Sequence, residues 1–208
     1  MSYPLKISTF DLKNLGASET GRISICSNTK GIIINLGNNN FVFFDAERNF
    51  KFKIPEIKNK INEIVDYEIL DLYCDSNKSD DNIVFYQFSS FYTIQEYDFQ
   101  NDDKNLKDKK NKIYESTFSK VTLSLSKKKV KSTESLFSFN HKNQNSAGRI
   151  DKLNEDQFIL SWSDPTDYES TSEKKEFLAQ NVNFLEGKII SLNLKNKEYD
   201  FLSIGHRN

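Results

Sequence analysis

The chain has 208 residues, enough for one domain with a buried core or for two small ones. Its 29 basic residues nearly balance 30 acidic ones, so there is no overall positive field to hold a nucleic-acid backbone. No run approaches the roughly 18 apolar residues of a membrane-spanning helix, and the start Met1-Ser2-Tyr3-Pro4 lacks the basic and apolar stretches of a signal peptide. Aromatic residues reach 13%, with 17 Phe and 9 Tyr. Such side chains suit half-buried pleated surfaces and predict an all-β fold.

Residues 1–20 are weakly patterned, broken by Pro4, Gly16 and Ser18, and read as an N-terminal lead-in to a domain over 21–208. From Gly21 short apolar runs alternate with turn signals. Ile23 and Ile25 alternate, Asn28 to Gly31 turns, Ile32 to Leu36 is apolar, Gly37 to Asn40 turns, and Phe41 to Asp45 follows. Strands at roughly ten-residue spacing are the rhythm of a sandwich, a barrel or a propeller. Over 47–68, Ile57, Ile61, Ile64 and Val65 fall at helical spacing after Pro55, which predicts a short helix or an irregular crossover.

A second strand group runs Glu68 to Cys74, Ile83 to Ser89 and Phe91 to Phe99, with the acidic loop Asp75 to Asn82 between its first two members. That loop lacks the glycine and closing glutamate of a calcium-binding EF-hand and reads as a solvated turn. Residues 100–112 mix both charge signs, the signature of a solvated break. A strand follows from Ser116 to Ser126, turns at Lys127 to Lys129 and returns over Val130 to Phe139. The lysine cluster at this hairpin tip is too small to argue for nucleic acid. Ser138 to Ser146 reads as a polar loop containing His141.

Gly148 to Ile150 and Gln157 to Asp164 then form a hairpin around a turn at Asn154 to Asp156, and Pro165 to Gln180 is a polar insertion. The last hairpin spans Glu186 to Asn208. It has Ile190, Leu192 and Leu194 on one face, a turn at Lys195 to Lys197, and Tyr199, Phe201 and Leu202 in its second strand. No exact internal repeat is present, only the strand-turn-strand rhythm. Cys26 and Cys74 sit in separate strands at no metal-ligand spacing, and two buried free thiols are expected in preference to a disulfide.

Two motifs carry a family resemblance. Gly187-Lys188-Ile189 opens the last hairpin and Ile204-Gly205-His206-Arg207-Asn208 closes it. Upstream, Gly148-Arg149-Ile150 precedes a strand ending Trp162-Ser163-Asp164. In this order the motifs resemble those of the quinoprotein sugar dehydrogenases, the pyrroloquinoline quinone (PQQ)-dependent soluble glucose, sorbosone and aldose dehydrogenase-like β-propellers. The resemblance implies a partial β-propeller of four-stranded antiparallel blades, about two blades and part of a third from a six-bladed ring, truncated at its C-terminus.

The same resemblance implies oxidation of a sugar hydroxyl by hydride transfer to PQQ, with calcium as a further cofactor and an external electron acceptor as partner. It places Arg207 and Asn208 on the cofactor, and a guanidinium suits planar carboxylates. The family's catalytic base is a His, whose position is held here by Asn145. An amide has no lone pair that is basic near neutrality. His141, four residues upstream, is the substitute base. The base could otherwise come from a residue beyond Asn208; if none serves, the chain is a catalytically lapsed propeller acting as a binding or scaffold module. Arg149 is expected to brace the propeller centre, and Asp164 to hold a backbone N–H. The family is usually exported, which implies a periplasmic or extracellular site.

Overall fold

Residues 23–37, 40–45, 49–54, 64–75, 81–95, 111–141, 147–163, 183 and 185–204 are described by the structure, a computed structural model. They form three four-stranded antiparallel sheets. Sheet 1 contains β1 (Ser24–Asn28), β2 (Gly31–Asn35), β3 (Asn40–Phe44) and β4 (Asn49–Lys53). Sheet 2 contains β5 (Ile64–Cys74), β6 (Asn82–Gln95), β7 (Asn111–Ser124) and β8 (Lys129–His141). Sheet 3 contains β9 (Gly148–Lys152), β10 (Gln157–Trp162), β11 (Lys188–Asn193) and β12 (Tyr199–Ile204). Among the described residues there is no helix.

Each sheet is a meander in chain order, and asparagines close several of the short turns among the described residues. Asn28 Oδ1 accepts from the backbone N–H of Lys30 at 2.9 Å and of Gly31 at 3.2 Å. Asn35 Oδ1 takes the Gly37 N–H at 3.1 Å, and Gly37 has a φ of 88° that a side chain would strain. Asn154 and Asn193 make the corresponding bonds in sheet 3, at 3.0 and 2.9 Å. At the β7–β8 turn the carboxylate of Asp81 accepts from Ser126 N at 2.8 Å and from Ser124 Oγ at 3.1 Å. The backbone bond from Ser126 is the main cause that holds its carboxyl below the usual range.

The sheets stack face to face in sequence order, and their first strands lie together: β1 against β5, and β5 against β9. Successive four-stranded meanders with adjacent first strands make a partial β-propeller, as the sequence leads one to expect, with all three blades four-stranded. The first seam packs Ile33, Phe41 and Phe43 of sheet 1 on Leu72, Ile83 and Phe85 of sheet 2. The second packs Leu70, Tyr86 and Phe118 of sheet 2 on Ile150, Phe158 and Leu160 of sheet 3. Strands β5 to β7 of sheet 2 are therefore covered on both faces, while most of β8 stays open to solvent. Neighbouring β6 residues serve opposite seams, Phe85 the first and Tyr86 the second. Phe158 is the hub of the second seam, 4.4 Å from the Tyr86 ring and 5.1 Å from Phe118. Each such buried ring contributes about 1.5–3 kcal/mol.

Polar ties join the first strands at their C-terminal ends. Lys152 Nζ lies 2.9 and 3.0 Å from the two carboxylate oxygens of Asp75, binding sheet 3 to sheet 2. Asn28 Nδ2 donates to the Asp75 carbonyl at 3.1 Å, binding sheet 1 to sheet 2.

Four local expectations are corrected. Cys26 and Cys74 form a disulfide rather than two free thiols, since β1 and β5 bring their Cα atoms to 5.3 Å. Ile64 and Val65 begin β5 rather than end a helix, and Asn49–Lys53 is a strand, with alternate Phe50 and Phe52 turned to the first seam. Ile57 and Ile61 lie outside the described residues. No break separates Ser89 from Phe91: Ser90 pairs with Ser116 inside a continuous β6. Residues 138–141 continue β8 instead of opening a loop.

Candidate functional site

The strand directions bring the motif-bearing segments to one end of the stack. The first strands all run toward Asn28, Asp75 and Lys152, which are joined there. Each following strand reverses, so β8 ends at His141, β9 begins at Gly148 and β12 ends at Ile204 at the opposite end. The segments carrying Asn145 and the pair Arg207 and Asn208 are attached at these three points. Asn145, Asp164, His206, Arg207 and Asn208 themselves lie outside the described residues.

His141 is described, and it is not placed as a free base. Its side chain is buried, with Nε2 at 3.1 Å from Ser116 Oγ, itself fully buried. The ring stacks on Tyr114 at 5.9 Å and leans on Phe139 at 5.6 Å. Phe139 in turn meets Trp162 edge to face at 4.8 Å, and Phe88 meets the same indole at 5.1 Å. The histidine is thus a member of an aromatic wall between sheets 2 and 3. The β7–β8 register positions it, Tyr114 lying opposite His141. Sequence reading identifies the residue, but nothing local signals its Ser116 partner.

The glycines of both motifs have physical work in the fold. A Cβ on Gly148 would stand 2.4 Å from a ring carbon of Phe88, so β9 starts where only glycine fits. Gly187 has a φ of 70°, which turns the chain into β11. Lys188 beside it is buried, and its Nζ donates to the Glu186 carbonyl at 3.0 Å. Neither the burial of this lysine nor that of Glu186 has a signal in the sequence. Arg149 is exposed on β9, with Nη1 3.9 Å from Asp71 Oδ1. Asp71 Oδ2 also accepts from the Ile150 N–H at 2.9 Å. The exposed Arg149 thus reaches the neighbouring first strand β5 by one long contact, while the backbone of Ile150 makes the closer bond to Asp71. Among the described residues no group of three or more His, Cys, Asp or Glu side chains is placed to hold a metal ion, and no helix is long and apolar enough to cross a membrane.

No protein family matches the sequence, and no curated protein is significantly similar to it. The fold is similar to that of the soluble aldose sugar dehydrogenase of Escherichia coli, solved in its apo form, with a TM-score of 0.54 and 12% sequence identity. The likeness covers 84% of this chain and 44% of that one. The chain therefore spans less than half the length of the enzyme it resembles, and at this identity the likeness is one of fold.

Proposed function

We propose that the chain is part of an aldose dehydrogenase-like propeller that binds PQQ at the end where β8, β9 and β12 meet their loops. The observation that carries this is the fold likeness to an aldose sugar dehydrogenase. The sequence motifs agree with it, since their attachment points share one end of the stack. The donor set at the C-terminal motif fits such a ligand: the Arg207 guanidinium suits a planar carboxylate as a two-pronged donor, and the Asn208 amide adds a further donor. When bound, PQQ would supply the electron-accepting quinone for oxidation of a sugar hydroxyl, with calcium as a companion ion and an external acceptor to reoxidise it. The disulfide supports an oxidising compartment, in line with a periplasmic or extracellular site.

The engagement of His141 favours a second reading for turnover. With its Nε2 against Ser116 and its ring in an aromatic wall, His141 is poorly placed to replace the family's base, and Asn145 has no basic atom. A propeller that keeps the cofactor grip and has lost the proton acceptor would act as a binding module. The test is a titration of PQQ with calcium into the protein, followed by quinone absorbance, then addition of aldoses with an artificial electron acceptor. Saturable binding with sugar-dependent reduction supports the dehydrogenase. Binding without turnover supports the lapsed module. Absence of binding refutes the PQQ site.

A further inference from the structure

The two seams end differently at the outer rim of the stack. On the sheet 3 side of the second seam, the register sets Phe158, Leu192 and Tyr199 in one row and Leu160, Ile190 and Phe201 in the next. The first two members of each row are fully buried, whereas Tyr199 and Phe201 on the last strand are 41% and 36% exposed. Phe137 of β8 meets Tyr199 edge to face at 5.7 Å, and Tyr199 meets Phe201 likewise at 5.7 Å. At the matching place in the first seam, Phe52 of β4 is only 6% exposed. The mouth of the second seam is thus lined by rings that β8 leaves half uncovered.

The strand beside that mouth is β8. Among the described residues it pairs with β7 alone. It is 13 residues long against 6 for β12, and Ser132, Glu134, Ser135, Ser138 and Asn140 are exposed along it. Unpaired backbone groups at a sheet edge template a further strand unless lysine, proline or a bulge guards them. Exposed Lys129 and Lys131 guard the turn end, where the register with β7 also shifts. From Ser132 to His141 there is one carboxylate, Glu134, and no lysine, arginine or proline. The register is regular from Phe137 to His141.

We propose that β8 accepts a fifth strand, an extended segment of a partner protein that is apolar at alternate positions and rests its apolar side on Tyr199 and Phe201. Three features select this occupant. An extended chain matches the row of backbone donors and acceptors along an edge strand. Its alternate side chains fall to the sheet 3 side, where they carry the apolar rows of the second seam outward over the two exposed rings. Its end beside Lys129 and Lys131 is acidic, because those two exposed cations stand at the turn end of β8.

The probe is a fluorescent peptide of about eight residues that alternates valine and threonine between terminal glutamates. Its anisotropy is followed as the 208-residue chain is added up to about 100 µM. The expected result is saturable binding, with new protection from hydrogen exchange concentrated in the β8 amides. Phe201→Ser should raise the dissociation constant at least about tenfold, and Tyr199→Ser should weaken binding as well, both with unchanged circular dichroism. Both rings are exposed, so the variants test contact rather than folding. A second peptide of the same sequence with methylated backbone nitrogens keeps the side chains and loses the donors, and it should not bind. Equal binding of the two peptides would overturn the proposal, since it would mean apolar adhesion without strand pairing. Absence of binding, or binding that leaves β8 exchange unchanged, would overturn it too. So would β8 amides already protected along their whole length without peptide, which would place another part of the chain or a second copy on that edge.

Discussion

His141 and Ser116 meet across the β7–β8 ladder, Nε2 to Oγ at 3.1 Å, both side chains buried. The contact engages the one histidine among the described residues. His141→Ala should destabilise the protein by about 1–3 kcal/mol, because it leaves a buried hydroxyl without this partner. It should leave PQQ affinity unchanged. Denaturant unfolding and the quinone titration read these separately. A loss of sugar oxidation without loss of stability would instead make His141 the base.

Gly148 is fixed by packing. Its replacement by alanine would drive a methyl group to within 2.4 Å of the Phe88 ring and 3.1 Å of Leu70. Both neighbours are fully buried and have little room to move. Gly148→Ala should cost about 1–3 kcal/mol, the usual penalty for overpacking a core. The same change at exposed Arg149 should cost much less, which thermal unfolding of the two variants would show.

The disulfide joins β1 to β5 across 48 residues of sequence. Replacing both cysteines with alanine should remove about 2–4 kcal/mol of stability. The loss should be concentrated in sheet 1, since the second seam has its own aromatic cluster. Hydrogen exchange followed strand by strand would show β1 to β4 opening first. Uniform loosening of all three sheets would contradict this.

Tyr86 sets an alkaline limit. Burial, with smaller contributions from the negative charges of Asp75 and Glu134, pushes its phenol from the ordinary 10.0 up to about 12. The folded state therefore holds this proton more tightly than the unfolded chain does. Its contribution to stability is complete below pH 10 and falls away as pH rises through about 12. In Tyr86→Phe that part of the alkaline slope should vanish. Unfolding midpoints measured at several pH values in this window check the sign.

Much of the fold is legible in the sequence where a strand has one buried face. β9 and β10 alternate buried and open positions and fall where the pattern puts them. The failures have local causes. In β6 the polar pair Ser89 and Ser90 resembles a break, yet both are buried opposite Thr117 and Ser116. In β4 the alternation of Phe50 and Phe52 with lysines spans only five residues, and the helical spacing just beyond it competes. The Cys26–Cys74 bond depends on the packing of two sheets, which no spacing in the chain encodes. Likewise, the motif residues can be recognised in order, but the capture of His141 by a serine 25 positions away is a matter of register.

The covalent bond between β1 and β5 also decides how the protein would bear load. Tension applied at its two ends cannot pass through the segment between Cys26 and Cys74, 48 positions apart, while that bond stands, since the force path runs through sulfur. Sheet 1 lies almost wholly inside this shielded loop and could not be drawn out along the line of pull. At roughly 3.5 Å per extended residue, the stretched chain would fall short of its full contour by about 170 Å. In an optical trap, addition of a reductant would release that hidden length in a single step.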